Sequence, residues 1–134
     1  MKSILIADDS LAIREAISNS FKKVGFSVSE TCNGEEALDT ARKKHHDLVI
    51  TDLHMPVMGG LTLIRHLRKL PSYNCTPILV LTVENLTKLK DDVKAAGVSG
   101  WIVKPFIPKR HVQAICKFID RQYLAVNMKE SNHF

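Results

Sequence analysis

The sequence predicts an α/β protein, a doubly wound five-stranded parallel sheet covered by five helices. Three observations predict it. Short apolar runs recur at residues 4–7, 48–50, 78–81 and 101–103, as in strands buried on both faces. Amphipathic stretches of crossover length separate them, and right-handed crossovers then place helices on both sides of the sheet. Each run also ends on a functional residue, Asp8-Asp9, Asp52, Thr82 or Lys104, and open α/β sheets carry their sites at the carboxyl ends of their strands.

Residues 4–8 form the first strand. Ser10 or Asp9 caps a helix whose apolar positions Ile13, Ala16, Ile17, Phe21 and Val24 share one face, with Gly25 suited to its C-terminal end. Ser27-Val28-Ser29-Glu30 alternates weakly, as an edge strand would. Asn33, with Glu36 three residues on, resembles a capping box and starts a second helix through Ala37, Leu38 and Ala41 to near His45. The third strand is 48–52. A third helix carries Leu61, Ile64, Leu67 and Leu70 and is stopped by Pro71. Residues 77–82 make a largely apolar and therefore central fourth strand. Leu86, Leu89, Val93 and Ala96 mark a fourth helix ending at Gly97, and residues 100–103 are the fifth strand. Pro108 opens the last helix, with Val112, Ile115, Cys116, Ile119 and Tyr123 facing inward. Residues 1–126 read as one domain and 127–134 as a short, polar, frayed tail.

Composition narrows the function classes. A chain of 134 residues with 45% hydrophobic and 25% charged residues suits one globular domain and argues against disorder throughout. Cys32, Cys75 and Cys116 are odd in number and far apart, which points to reduced thiols of a cytoplasmic protein rather than a disulfide or zinc framework. No run approaches the roughly 20 apolar residues of a membrane span, and the first is too short for a signal peptide. The net charge of +5 is spread over predicted helix surfaces, so it reads as solvated surface and not as a nucleic-acid face. His45, His46 and Asp47 read as a solvated helix end, not as metal ligands.

The strand ends carry the chemistry. The topology places the switch point between the first and third strands, which end in Asp8, Asp9 and Asp52. Converging carboxylates repel unless one protonates or a cation joins them. Mg²⁺ suits an all-oxygen site, using one or two carboxylates while keeping waters and a phosphate oxygen. One carboxylate then becomes a nucleophile toward phosphorus. Asp52 stands alone on its strand and is the better nucleophile, while Asp8-Asp9 is the better cation seat. Phosphoryl transfer otherwise asks for charge neutralisation around the equatorial oxygens, a task for the Lys104 ammonium and the Thr82 hydroxyl. Singly, each residue is explained as a cap, a surface lysine or a strand residue. Jointly, across four strands, they are not.

Asp8-Asp9-Ser10 with Arg14 following, Thr51-Asp52, Met55-Pro56, Gly60, Thr82 and Lys104-Pro105-Phe106 together resemble the receiver domain of two-component response regulators. The resemblance runs over residues 4–123 and is strongest to the chemotaxis members. It implies a flavodoxin-like, CheY-like sheet in the order 2-1-3-4-5, with Asp52 as phosphoacceptor. It further implies Mg²⁺ held by Asp8, Asp9, Asp52 and the His54 backbone carbonyl. Thr82 and Lys104 would contact the phosphoryl group, Thr82 and Trp101 would form the switch, and the Lys104–Pro105 peptide would be cis.

The implied partners are a histidine kinase, CheA-type in a chemotaxis setting, and an output target on the face of the fourth helix, fifth strand and fifth helix, the flagellar motor switch being one. A stand-alone, monomeric signalling switch is expected, one that catalyses only its own phosphorylation and dephosphorylation. A phosphorelay intermediate passing phosphate to a histidine phosphotransfer protein is the alternative. A haloacid-dehalogenase-like phosphatase is disfavoured, because Asp52-Leu53-His54 lacks that family's second acid. Three departures from the family pattern stand out. Val83 follows Thr82 where a small residue is usual, Gly59 replaces a common Asp, and Trp101 replaces Tyr or Phe. Val83 is expected to restrict access to the phosphoryl group.

Overall fold

The structure, a computed structural model, describes residues 2–83, 89–122 and 132–133. The strands are β1 (Ser3–Ala7), β2 (Ser27–Thr31), β3 (Leu48–Asp52), β4 (Ile78–Thr82), β5 (Gly100–Val103) and β6 (Asn132–His133). The helices are α1 (Leu11–Lys23), α2 (Gly34–Lys43), α3 (Gly60–Lys69), α4 (Lys90–Ala96) and α5 (Pro108–Gln122), with a 3₁₀ turn at Pro71–Tyr73. All pairings are parallel, in the order β2-β1-β3-β4-β5-β6. The expected five-strand order is therefore present. Beyond it, Asn132–His133 adds a short sixth strand that the polar tail gave no sign of.

Continuous apolar runs are required because each central strand buries both faces. Leu5, Ala7, Val49, Ile78 and Val80 pack under α2, α3 and α4 with Leu38, Leu63, Leu67 and Val93. Their alternates Ile4, Ile6, Leu48, Ile50, Leu79 and Leu81 pack under α1 and α5 with Ile17, Phe21, Ile115 and Phe118. Each fully buried Leu, Ile or Phe contributes about 1.5–3 kcal/mol, so the two layers fix the sheet before any polar contact is made. Edge strand β2 is only half-buried through Ser27, Val28 and Ser29, as its weak alternation predicts.

The signals at helix ends hold. The Ser10 hydroxyl accepts from the Ile13 amide, choosing Ser10 over Asp9 as the cap of α1, and the Asn33 side chain accepts from the Glu36 amide. Gly25 and Gly97 adopt φ of 95° and 97° just past α1 and α4, the left-handed turn that favours glycine. The expected apolar positions Leu86 and Tyr123 lie outside the described residues, as does most of the tail.

Two polar residues depart from expectation. His46 is fully buried, not solvated. Its ring meets the Tyr73 hydroxyl at 3.2 Å and the Ser29 hydroxyl at 2.9 Å. Adjacent Asp47 accepts from the Ser3 amide at 2.8 Å and so ties the amino end of β1. Arg68, one of the basic residues expected on solvated helix surface, is half-buried and donates to the carbonyls of Tyr73, Thr76 and Gly97.

Candidate functional site

Four strands deliver the site. Asp8 follows β1 directly, Asp52 ends β3, Thr82 ends β4 and Lys104 follows β5. The parallel registers pair Ala7 with Thr51, Asp52 with Leu81, and Thr82 with Val103. All four candidate site residues are thereby brought to one edge of the sheet. The Lys104 amide donates to the Thr82 carbonyl at 2.7 Å, continuing the β4–β5 ladder to the site itself.

Carboxylate oxygens of Asp8, Asp9 and Asp52 lie within 4.8 Å of one another. Asp8 and Asp52 are buried and Asp9 is exposed, so the cluster opens to solvent on the Asp9 side. Lys104 Nζ sits between the two buried acids, 3.3 Å from Asp52 Oδ2 and 3.6 Å from Asp8 Oδ2. Burial, above all, raises the Asp8 carboxyl above its ordinary range, and Asp52 and Asp9 push it the same way. The Ser10 amide and Lys104 pull against them. Asp8 Oδ1 accepts from the Ser10 amide at 2.9 Å, whereas buried Oδ2 has no hydrogen-bond partner. An orphaned, buried carboxylate oxygen facing two further carboxylates fits a hard cation that takes oxygen ligands.

The loops around the acids are fixed by backbone packing. Arg14, on the first turn of α1, donates from Nη1 to the Asp8 carbonyl at 2.8 Å and pairs through Nε with Glu30 at 3.5 Å. It holds the acidic loop from behind, a role that only the motif position of Arg14 hinted at. Gly60 opens α3 against the Asp52 main chain, and a Cβ there would overlap the Asp52 carbonyl oxygen. The Gly34 amide donates to the Met58 carbonyl at 2.9 Å, joining the loop before α2 to the loop before α3.

Of the remaining expected residues, Thr82 is buried at the strand end, Trp101 is half-buried against the core layer under α2, α3 and α4, and His54 lies exposed in the loop after Asp52. The Lys104–Pro105 peptide is cis. Val83 is 68% exposed and lies outside the core.

Residues 4–116 match the response regulator receiver domain family. The chain belongs to that family. Similar receivers include chemotaxis protein CheY-3 of Vibrio cholerae, 33% identical over 119 residues that span 88% of this chain and 92% of that protein. The probable transcriptional regulator ycf29 of Porphyra purpurea is 31% identical over 97% of this chain, which covers only 63% of that longer protein. Among solved structures, the V. cholerae chemotaxis response regulator CheY4 shares 38% identity at a TM-score of 0.83, covering 87% of this chain and 98% of that one. A Burkholderia multivorans response regulator shares 38% identity at a TM-score of 0.74, covering 88% and 94%. The chain is thus a two-component receiver with the CheY-like fold. Among its described residues no helix is long and apolar enough to cross a membrane.

Proposed function

We propose that this receiver accepts a phosphoryl group on Asp52 from the phosphohistidine of a histidine kinase, a CheA-type kinase on the chemotaxis reading. The observation that carries the proposal is the placing of Lys104 between Asp8 and Asp52, beside a third carboxylate, at one edge of the sheet. In the transfer an Asp52 carboxylate oxygen forms the new bond to phosphorus as the bond from phosphorus to the donor nitrogen breaks. Lys104 neutralises charge on the transferred oxygens, and Thr82 offers its hydroxyl from the neighbouring strand.

Asp8, Asp9, Asp52 and the His54 backbone carbonyl would hold Mg²⁺, which when bound supplies positive charge against the carboxylates and a phosphoryl oxygen. The protein acts as a switch, with catalysis limited to gaining and losing its own phosphoryl group. Rearrangement of Thr82 and Trp101 biases the face of α4, β5 and α5 toward an output target. The likeness to CheY-3 favours chemotaxis and a motor-switch target. The likeness to ycf29 favours transcription as a second output.

The test is intact-mass measurement after incubation with acetyl phosphate and MgCl₂. One phosphoryl adduct is expected on the parent, with none in EDTA and none on Asp52→Asn. An undiminished adduct on Asp52→Asn overturns the assignment of the acceptor.

A further inference from the structure

The outer edge of β5 is chemically unguarded. Gly100-Trp101-Ile102-Val103 carries no charged residue and no proline, and its inner edge is already paired with β4. Alternate backbone N–H and C=O groups of such a strand point outward and form a template for another strand unless charge, proline or a covering element intervenes. Here the edge is filled. Asn132 and His133 pair in parallel with Gly100 and Trp101.

The direction of that pairing follows from topology. α5 returns the chain to the amino end of the sheet, so a segment after it enters parallel to β5, completing one more βαβ crossover. Nine residues, 123–131, separate α5 from β6. Nine residues reach at most about 30 Å, against a strand spacing of about 4.8 Å, so the chain's own segment can fill the edge.

We infer that the outer edge of β5 is a strand-docking surface for an extended peptide segment, occupied in cis by Asn132–His133. A partner that reads this edge has to displace that segment first. The edge is close to the chemistry, because Val103 pairs with Thr82 and the next residue, Lys104, holds Asp52 and Asp8. This consequence for output rests on the proposed α4–β5–α5 face, whereas the pairing itself does not depend on phosphorylation.

The experiment therefore uses the full, unphosphorylated chain in EDTA and follows native-state amide exchange at Gly100–Val103. The double variant Asn132→Pro with His133→Pro removes both backbone donors, while His133→Ala keeps them. The expected result is exchange at the outward β5 amides faster by about tenfold, the loss of roughly one net hydrogen bond, in the proline variant only. Amides of β1 and β3 should stay as in the parent, showing that the variant is folded. A synthetic peptide of residues 129–134 should restore slow exchange to the proline variant. Equal β5 exchange in the parent and the proline variant overturns the inference, and so does failure of the peptide to restore protection. Protection that rises with protein concentration overturns the cis assignment in favour of a second copy of the chain.

Discussion

At the scale of the residue, Asp8 states the problem that the site has to solve. Its Oδ2 is buried with no hydrogen-bond partner, and Lys104 at 3.6 Å is shared with Asp52. A buried charge so poorly matched is costly. The raised pKa of Asp8 says the same in terms of protons. A carboxyl whose folded pKa lies above its unfolded value contributes stability at low pH and loses it as pH rises through the folded pKa. Near neutrality, without a cation, Asp8 is therefore a liability. Asp8→Asn keeps an oxygen for the Ser10 amide and removes the charge, so the variant should melt higher than the parent in EDTA. Mg²⁺ should stabilise the parent, by about 2.7 kcal/mol at a hundredfold excess over Kd, and the variant much less. Thermal unfolding with EDTA or MgCl₂ measures both. A variant that melts lower in EDTA yet keeps the full magnesium shift would contradict this account.

At the scale of the element, the strands and helices were legible because burial imposes a period, and the caps were legible because Ser10, Asn33 and Gly97 each satisfy a local backbone need. The acidic site was legible for a related reason, since its residues directly follow apolar runs. Arg68 was not legible. Periodicity reports which face of α3 a residue occupies, not how far a long side chain reaches back. Apart from the Ser99 hydroxyl, its acceptors are main-chain carbonyls, which every residue has and no sequence pattern marks. Through Tyr73 and Thr76 it binds the turn before β4, and through Gly97 the turn after α4. Arg68→Met keeps the apolar stem but bares those carbonyls. Each unsatisfied buried group costs about 1–3 kcal/mol, and partial access to water moderates the total to about 2–4 kcal/mol. Arg68→Lys should recover only part of this, because an ammonium cannot fork between carbonyls as a guanidinium does. Urea unfolding is the measurement. A loss in Arg68→Met below about 0.5 kcal/mol, the usual range for surface changes, would show the network to be ornamental.

At the scale of the whole molecule, the sheet has a chemical end and a structural end, and only the first showed in the sequence. The opposite end is pinned by His46 and Tyr73, both fully buried, where the sequence suggested a solvated helix terminus and a loop. The Tyr73 hydroxyl donates to the Lys44 carbonyl at 2.8 Å and accepts from the His46 amide at 3.1 Å. With the phenol proton so used, His46 Nδ1–H donates to the phenol oxygen, and in the neutral ring Nε2 accepts from the Ser29 hydroxyl. Burial foremost, and Lys44 next, hold its pKa below the ordinary 6.5. The unfolded chain then binds the proton more readily than the folded one. The stability that neutral His46 contributes is complete above 6.5 and is lost as pH falls from there through the lower folded pKa. Asp8 has the opposite sign, so the parent's pH curve alone does not isolate the histidine. Comparison with His46→Gln does. In EDTA the variant should be less stable than the parent at about pH 7.5, and that deficit should shrink by about pH 5.5 as the parent loses the histidine contribution. Urea midpoints across this range give the difference directly, and a deficit that stays constant with pH would mean that proton binding at His46 is not linked to folding.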